Sequence, residues 1–338
     1  MLQELMGRYL EAIDLNMREM VNAAPVETPG YGMMLRYPFG WVDEQGNPYN
    51  KSTGKRIRPI LLLLCTEAAG GDWQTALPAA SAVEILHNFS LIHDDIQDNS
   101  PVRHNRPTLW KVWGVANGIN AGDALFTLSF VALSKLTERG VSAEIALQCL
   151  RVFSNMALEL TRGQHLDMRF EHQGTVTAEE YISMISGKTS ALLSACAEMG
   201  ALIGCGDSKI AAKYADFGLN LGISFQIRDD ILGIWGDAEV TGKSAATDIL
   251  SRKKSLPVIY GLERSNALAD LYNRETFGEA DVQPAVELLN SVGAREYAHQ
   301  QETKFYQRAI ESLNDAQPQG TAAQALNALI DLLFQRTS

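Results

Sequence analysis

The sequence has no proline between Pro107 and Pro257, and that interval is rich in Ala, Leu, Ile and Met. Proline breaks helix interiors by removing a hydrogen bond and clashing with the preceding turn, so its absence leaves long helices uninterrupted. Strand-like alternation of apolar and polar residues is missing as well. Apolar residues instead recur at three- and four-residue steps, as in Ile145, Cys149, Val152, Met156 and Leu160, the period of a helix face. An all-α fold is therefore expected, a bundle of long and mostly buried helices. Internal repeats, low-complexity tracts and linkers are also lacking. That excludes a helical-repeat architecture and predicts a single domain over residues 1–338.

Basic residues are in deficit. Lys and Arg number 29 against 40 Asp and Glu, a formal net charge of -11. Nucleic-acid binders draw affinity from neutralising phosphates, so no nucleic-acid partner is expected, and any phosphate site must be a local basic cluster. Cysteine is scarce. Cys65, Cys149, Cys196 and Cys205 lie apart, without a CxxC or a histidine at zinc-ligand spacing, and read as reduced packing residues. The longest purely aliphatic run, Ile60 to Leu64, is far shorter than the roughly 20 residues that cross a bilayer, so no stable membrane insertion is expected. The first twenty residues carry acids every few positions and no apolar signal core, which predicts a cytoplasmic protein.

Proline and glycine gather elsewhere. Residues 24–54 hold Pro25, Pro29, Pro38 and Pro48 and read as a long connection behind an N-terminal helix. Residues 99–108 read as a basic loop, and residues 236–256 as a polar, lysine-containing loop or broken helix. The candidate functional residues fall on helices that end at these loops.

The segment Ala82 to Asp98 carries two opposed stripes. Ala82, Ile85, Phe89, Ile92 and Ile96 would face a core, while Glu84, His87, Leu91, Asp94 and Asp98 lie on the other side. In an ideal helix Asp98 lies roughly 40° from Asp94, and His87 roughly 20° from it. Like charges one turn apart oppose helix formation by roughly 0.2–0.5 kcal/mol at an exposed site. An unpaired carboxylate in a partly buried cleft costs considerably more. One reading is a solvated acidic helix end. The other is a divalent cation bridging Asp94 and Asp98, and magnesium suits that spacing because it takes one or two carboxylates and completes its shell with waters and phosphates.

A second apolar run ends in Asp229 and Asp230. Gly218, Gly222, Gln226, Asp229 and Gly233 share one stripe of that helix. Small residues along a face admit either a closely packed helix or a ligand, and the spacing does not choose between them. Two aspartate pairs, each closing an apolar helix, are harder to attribute to solvated acids than one.

DDIQD (Asp94 to Asp98) and FQIRDD (Phe225 to Asp230) resemble the two aspartate-rich motifs of the trans-prenyltransferase, or polyprenyl synthetase, family. GKRIRP at Gly54 to Pro59, EILHNFSLIHDD at Glu84 to Asp95, RPT at Arg106 to Thr108, GQHLD at Gly163 to Asp167, GKT at Gly187 to Thr189 and GK at Gly242 and Lys243 continue the series in the family's order. The resemblance spans roughly residues 50–260. It is nearest to the short-chain geranylgeranyl and farnesyl diphosphate synthases, and it implies a helical bundle of isoprenoid synthase type around a deep central cavity, in a homodimer. The implied activity is magnesium-dependent head-to-tail condensation of isopentenyl diphosphate with an allylic diphosphate.

Carried over by motif, Asp94, Asp98 and Asp229 are implied metal ligands for three magnesium ions per site, supported by Asp95 and Asp230. Lys188, Lys243 and Arg103 are implied to hold the allylic diphosphate. Lys55, Arg58 and His87 are implied to hold the diphosphate of isopentenyl diphosphate. Gln164, Asp167, Thr189 and Gln226 are implied to line the reaction centre. Those roles agree with the chemistry. An allylic diphosphate ionises once its leaving charge is neutralised, and the resulting carbocation needs a dry pocket. Diphosphate oxygen can take the final proton, so no side-chain base is required.

Individual residues keep other readings. Lys55, Arg56 and Arg58 also suit an exposed basic turn before a helix, and His87 a core position. Arg252, Lys253 and Lys254 suit a closing segment or a solvated charge run, and His93 falls off the aspartate stripe. His104 stands where the family has a second arginine, and is kept as a substrate-binding candidate. Gly233 replaces the last aspartate of the second motif, and Thr53 a common glycine. A class I terpene cyclase and a non-catalytic partner subunit are the competing readings. Lys55, Arg58 and His87 argue against the first, and Asp94, Asp98, Lys188 and Asp229 against the second. In the family that the motifs resemble, bulky residues four or five positions before the first aspartate block the growing tail, so the resemblance implies Phe89 and Ser90 as the chain-length candidates. A small Ser90 beside a bulky Phe89 favours a C20 product, with C15 next, although Phe89 also reads as a core residue.

Overall fold

The computed structural model describes residues 2–49, 54–236 and 247–334. The all-α expectation holds, the exceptions among the described residues being one short hairpin and an isolated bridge between Val42 and Pro48. By its contacts the chain divides into two compact units. One comprises Met1–Val152, Met199–Ala211 and Gln319–Ala325; the other comprises Phe153–Glu198, Ala212–Pro318 and Leu326–Ser338.

The first unit is organised on helix α4. In chain order its helices are α1 (Leu2–Asn22), α2 (Tyr31–Arg36), α3 (Ile57–Ala68), α4 (Leu77–Gln97), α5 (Leu109–Trp113) and α6 (Val115–Ser134). Pro78 sits in the first turn of α4, where its missing N–H costs nothing. Every residue from Leu77 to Leu86 is buried, because α1, α3 and α6 all pack against it. The Ile60 to Leu64 run is likewise core on all sides of α3. Each such side chain contributes about 1.5–3 kcal/mol by leaving water. At its C-terminal end α4 emerges. A Cβ on Gly122 of α6 would lie 2.3 Å from His93 Nε2, so α6 seats directly on that turn, and Asp98 reaches the surface.

The expected loop at 99–108 is instead a tight antiparallel hairpin, β1 (Val102–Arg103) with β2 (Arg106–Pro107). His104 and Asn105 turn it with φ of +52° and +59°, the left-handed pair that a two-residue hairpin requires. The expected connection at 24–54 contains α2 and is pinned from the hairpin. The Arg106 guanidinium donates to the carbonyls of Tyr37 (3.2 Å) and Val42 (2.9 Å) and lies 3.9 Å from the Tyr37 ring centroid.

The remaining helices are α7 (Ala143–His172), α8 (Ala178–Ile185), α9 (Ala191–Cys205), α10 (Ser208–Trp235), α11 (Thr247–Leu250), α12 (Leu256–Arg264), α13 (Asn266–Tyr272), α14 (Glu279–Ser291), α15 (Ala294–Asp315) and α16 (Gly320–Phe334). Within the second unit, Ile223, Ile227 and Ile231 of α10 form a core with Phe170, Tyr181, Met184, Ile185, Leu256 and Ile259. Thr177 and Glu180 close a capping box at the start of α8. One π-helical turn, Ser186–Ser190, joins α8 to α9. None of the described helices is long and apolar enough to cross a membrane.

Candidate active site

In the first unit, Asp98 N donates to Asp94 O at 2.9 Å, so the helical repeat runs through the motif and the two side chains stand one turn apart. Asp94 is half-buried, Asp95 buried and Asp98 exposed. The hairpin delivers Arg103 to this turn: Nη2 donates to Asp94 Oδ2 at 3.0 Å and Nε to Asp95 Oδ1 at 2.7 Å. Burial pushes the Asp95 carboxyl up to about 6 against the opposing charge and hydrogen bond of Arg103, with Asp94 and Asp98 adding to the rise. Arg103, expected on a diphosphate, thus holds two motif carboxylates.

Among the described residues no three His, Cys, Asp or Glu side chains form a ready-made metal cage. Asp94 and Asp98 fit the other kind of site, in which one or two carboxylates hold magnesium and waters or phosphates complete the shell. His104 is exposed at the hairpin turn. With Asp95 and Arg103 it lines a small cavity of about 60 Å³, and desolvation followed by the Arg103 charge lowers its pKa.

The basic motif splits three ways. Lys55 is exposed. Arg56, at φ +47°, turns inward to Asp14 (2.9 Å), which also accepts from Arg18 (2.6 Å) and Trp41 (2.9 Å). A positive φ at a non-glycine residue carries strain, and here it reverses one side chain within a basic run. Arg58 Nη1 lies 3.3 Å from His87 Nε2. Guanidinium only donates, so Nε2 accepts and the His87 proton sits on Nδ1. Desolvation holds the His87 pKa well below its ordinary value, and the charges of Arg58, Arg103 and His104 add to this. His87 is a neutral imidazole. Beneath it Glu84 is buried, its carboxyl pushed up by desolvation against Arg56 and Arg58.

The Phe89 ring lies against His93 (centroids 4.8 Å) and Phe126 (5.0 Å), and Phe126 against Phe130 (5.1 Å). Ser90 Oγ donates to His87 O at 2.8 Å. His93 fits the Gly122 gap in α6, a packing position.

In the second unit, α7 meets the π turn backbone to backbone. A Cβ on Gly163 would lie 2.1 Å from Lys188 N, and one on Gly187 2.5 Å from Glu159 O. This approach brings Lys188 Nζ onto Asp167 Oδ2 as an ion pair. Thr189 Oγ1 donates to Gln226 Oε1 (2.9 Å), and Gln226 Nε2 to Asp230 Oδ1 (3.2 Å). Asp230 Oδ2 accepts from Tyr181 Oη and from Leu256 N (3.4 Å). Asp230 is fully buried, while Asp229 and Gln164 are half-buried. Lys188, Asp167, Thr189, Gln226 and Asp230 are therefore brought together; Lys243 lies outside the described residues. The glycine stripe of α10 is helix packing, since a Cβ on Gly222 would meet Ser190 Cα at 2.6 Å and one on Gly218 Leu193 O at 2.5 Å.

Sequence reasoning missed two residues here. A Cβ on Gly233 would come 2.5 Å from Asp248 Oδ2, so the Asp248 carboxylate occupies the space beside the position where the motif lacks its last aspartate. Desolvation pulls the Lys253 ammonium down, but Asp230, Asp248, Asp167 and Asp229 outweigh it and hold its pKa above the ordinary value. Its neighbours point elsewhere. Lys254 donates to the carbonyls of Phe170 (2.7 Å) and Gln173 at the end of α7, and Arg252 to Arg274 O (2.7 Å). Of the three cations, Arg252 and Lys254 are tied to backbone carbonyls, while Lys253 is exposed. The signal was the run itself, in which Arg252 takes a positive φ of +52°.

Each unit thus sets aspartates beside cations, an arrangement suited to binding metal-complexed polyphosphates. The Polyprenyl synthetase family matches residues 40–289. Over 315 residues the chain is 36% identical to a (2E,6E)-farnesyl diphosphate synthase of Mycobacterium tuberculosis, covering 91% of this chain and 86% of that one. It is 39% identical over 290 residues to a geranylgeranyl diphosphate synthase of Saccharolobus solfataricus, covering 84% and 86%. The crystal structure of a polyprenyl synthetase from Streptomyces coelicolor A3(2) is similar with a TM-score of 0.90 at 33% identity, covering 98% of this chain and 99% of that one.

Proposed function

Since the chain belongs to the polyprenyl synthetase family and is a short-chain prenyl diphosphate synthase, we propose that it condenses isopentenyl diphosphate head to tail with an allylic diphosphate to a C20 product, with C15 next. Residues of both units are proposed to serve this one reaction, as a single domain over residues 1–338. The observation that carries the proposal is the pair Asp94 and Asp98, one turn apart where α4, buried from Leu77 to Leu86, reaches the surface.

Magnesium is the proposed cofactor, three ions per site, on Asp94, Asp98 and Asp229; when bound it neutralises diphosphate charge. Lys188 and Lys253 hold and orient the allylic diphosphate, with Lys243 assigned by motif. Arg103 keeps Asp94 and Asp95 aimed until substrate arrives. Lys55, Arg58 and neutral His87 take the second diphosphate, His87 as an Nδ1–H donor. Thr189, Gln226, Gln164 and Asp167 present oxygens that favour the developing cation. Phe89, backed by Phe126 and Phe130, forms the stop for the growing tail. A homodimer is proposed because Val115, Ile119 and Val131 of α6 and Leu147 and Leu150 of α7 leave large apolar side chains exposed.

The deciding assay combines purified protein, magnesium and labelled isopentenyl diphosphate with C5, C10 or C15 allylic diphosphates, followed by product chromatography. Label is expected in a C20 diphosphate. Absence of incorporation, or cyclic hydrocarbon released from an allylic diphosphate alone, overturns the proposal.

A further inference from the structure

Asp230 is enclosed by donors, and their geometry fixes a direction. A carboxylate only accepts hydrogen bonds. Oδ2 takes the Tyr181 hydroxyl and Leu256 N–H, and Oδ1 faces the Gln226 side chain. Gln226 must therefore turn its NH₂ toward Asp230, which points its oxygen the other way, at Thr189. There it accepts the Thr189 hydroxyl at 2.9 Å. A hydroxyl has one proton. With that proton committed to Gln226, the Thr189 oxygen offers only lone pairs in every other direction.

We propose that Tyr181 and Asp230 are positioning residues that set the hydrogen-bond polarity of Gln226 and Thr189, so that Thr189 presents lone pairs rather than a proton to the developing allylic cation. The inference rests on the reading that Thr189 and Gln226 line the reaction centre. An oxygen fixed in this way favours positive charge without reorienting during reaction, whereas a freely rotating hydroxyl presents its hydrogen part of the time. The arrangement is overdetermined. Tyr181 and Asp230 are both fully buried, so neither exchanges its partner for water. Burial, then the charge of Asp230, holds the Tyr181 hydroxyl far above its ordinary pKa, so it remains a donor. Tyr181 in α8 and Thr189 in the π turn lie close in sequence, and α10 supplies both Asp230 and Gln226. The chain of bonds therefore leaves α8, passes through α10 and returns to the segment that follows α8. Asp230 acts here as an acceptor from side chains rather than as a metal ligand.

Three variants test this, alongside wild type and with circular dichroism to confirm folding. Tyr181→Phe keeps the ring and is expected to lower kcat about ten-fold with both KM values within about two-fold. Asp230→Asn places an amide N–H against Gln226, which must then turn its oxygen inward and offer NH₂ to Thr189. The polarity reverses, and kcat is expected to fall about a hundred-fold. Asp230→Asn with Gln226→Glu moves the carboxylate one place along. Glu at 226 accepts from both Asn and Thr189, so kcat is expected to recover about ten-fold over Asp230→Asn alone. An unchanged kcat in Tyr181→Phe, a double variant no better than Asp230→Asn, or restoration of Asp230→Asn by excess magnesium overturns the inference. If Tyr181→Phe does not fold, the comparison of the other two decides. Failure of wild type to incorporate isopentenyl diphosphate refutes the proposed function instead, and is seen before any variant is made.

Discussion

His87 is neutral in the folded protein, and that makes stability depend on pH in a way a single substitution isolates. The ordinary histidine pKa is 6.5, which the unfolded chain recovers, while in the folded protein desolvation, then Arg58, Arg103 and His104, hold it well below. Below pH 6.5 the unfolded state therefore binds a proton that the folded state does not. Stability falls as pH falls, with a limiting slope of about 1.4 kcal/mol per pH unit. Integrating from pH 8 to pH 5, with negligible protonation of the folded state, gives about 2 kcal/mol. Buried carboxylates with raised pKa values, Glu84 and Asp230 among them, act in the opposite sense over lower pH, so the wild-type curve alone does not report His87. His87→Gln removes the titration while its amide oxygen still accepts from Arg58. Urea unfolding of both proteins at pH 8 and pH 5 should show the wild type losing about 2 kcal/mol more than the variant. Equal losses, or a larger loss in the variant, would mean that His87 is charged in the fold, and the assignment of its proton to Nδ1 alone would be wrong.

Asp94→Asn and Asp98→Asn should each lower turnover by several orders of magnitude with the helical circular dichroism intact, and a chelator should abolish wild-type activity; near-normal rates in either variant sink the metal assignment. Phe89→Ala should lengthen the product by at least one C5 unit and Ser90→Phe should shorten it, read by chromatography, and an unchanged distribution in both active variants places the stop elsewhere. Gly163→Ala drives a methyl group into Lys188 N and should cost at least about 1–3 kcal/mol in thermal unfolding, with kcat falling as Lys188 moves off Asp167; a silent substitution would show that α7 and the π turn separate freely. Lys55→Ala should raise KM for isopentenyl diphosphate more than for the allylic partner, measured by varying each substrate in turn.

Where periodicity governs, the sequence was readable. The stripe through Asp94 anticipated that α4 carries Asp94 and Asp98 one turn apart, which follows from 3.6 residues per turn. It did not anticipate that Glu84, on the same stripe, is buried with all of Leu77 to Leu86, because helices pack on every side there. What escaped depends on tertiary contact. The hairpin at Val102 to Pro107 pairs only four residues, too few for an alternation to register, and its turn needs His104 in a left-handed conformation that histidine seldom adopts. The π turn changes the helical phase between Tyr181 and Thr189, so no ideal-helix projection places them correctly. Arg56 reverses expectation for a similar reason: at a positive φ its side chain pairs with Asp14 instead of joining an exposed basic turn. The glycines of α10 left two readings open, and only the atoms opposite them, in Ser190 and Leu193, decide for packing.

The meeting of Gly163 with Gly187 also bears on how this chain can vary. Most close contacts in a core are negotiable, since a larger residue on one side is offset by a smaller one opposite. Here each side already has the smallest residue there is, and the atoms facing it belong to the main chain. No second substitution restores the gap. The two positions must therefore stay glycine independently, rather than drifting as a compensated pair, and a library that randomises both together should return glycine at each as firmly as one that randomises either alone.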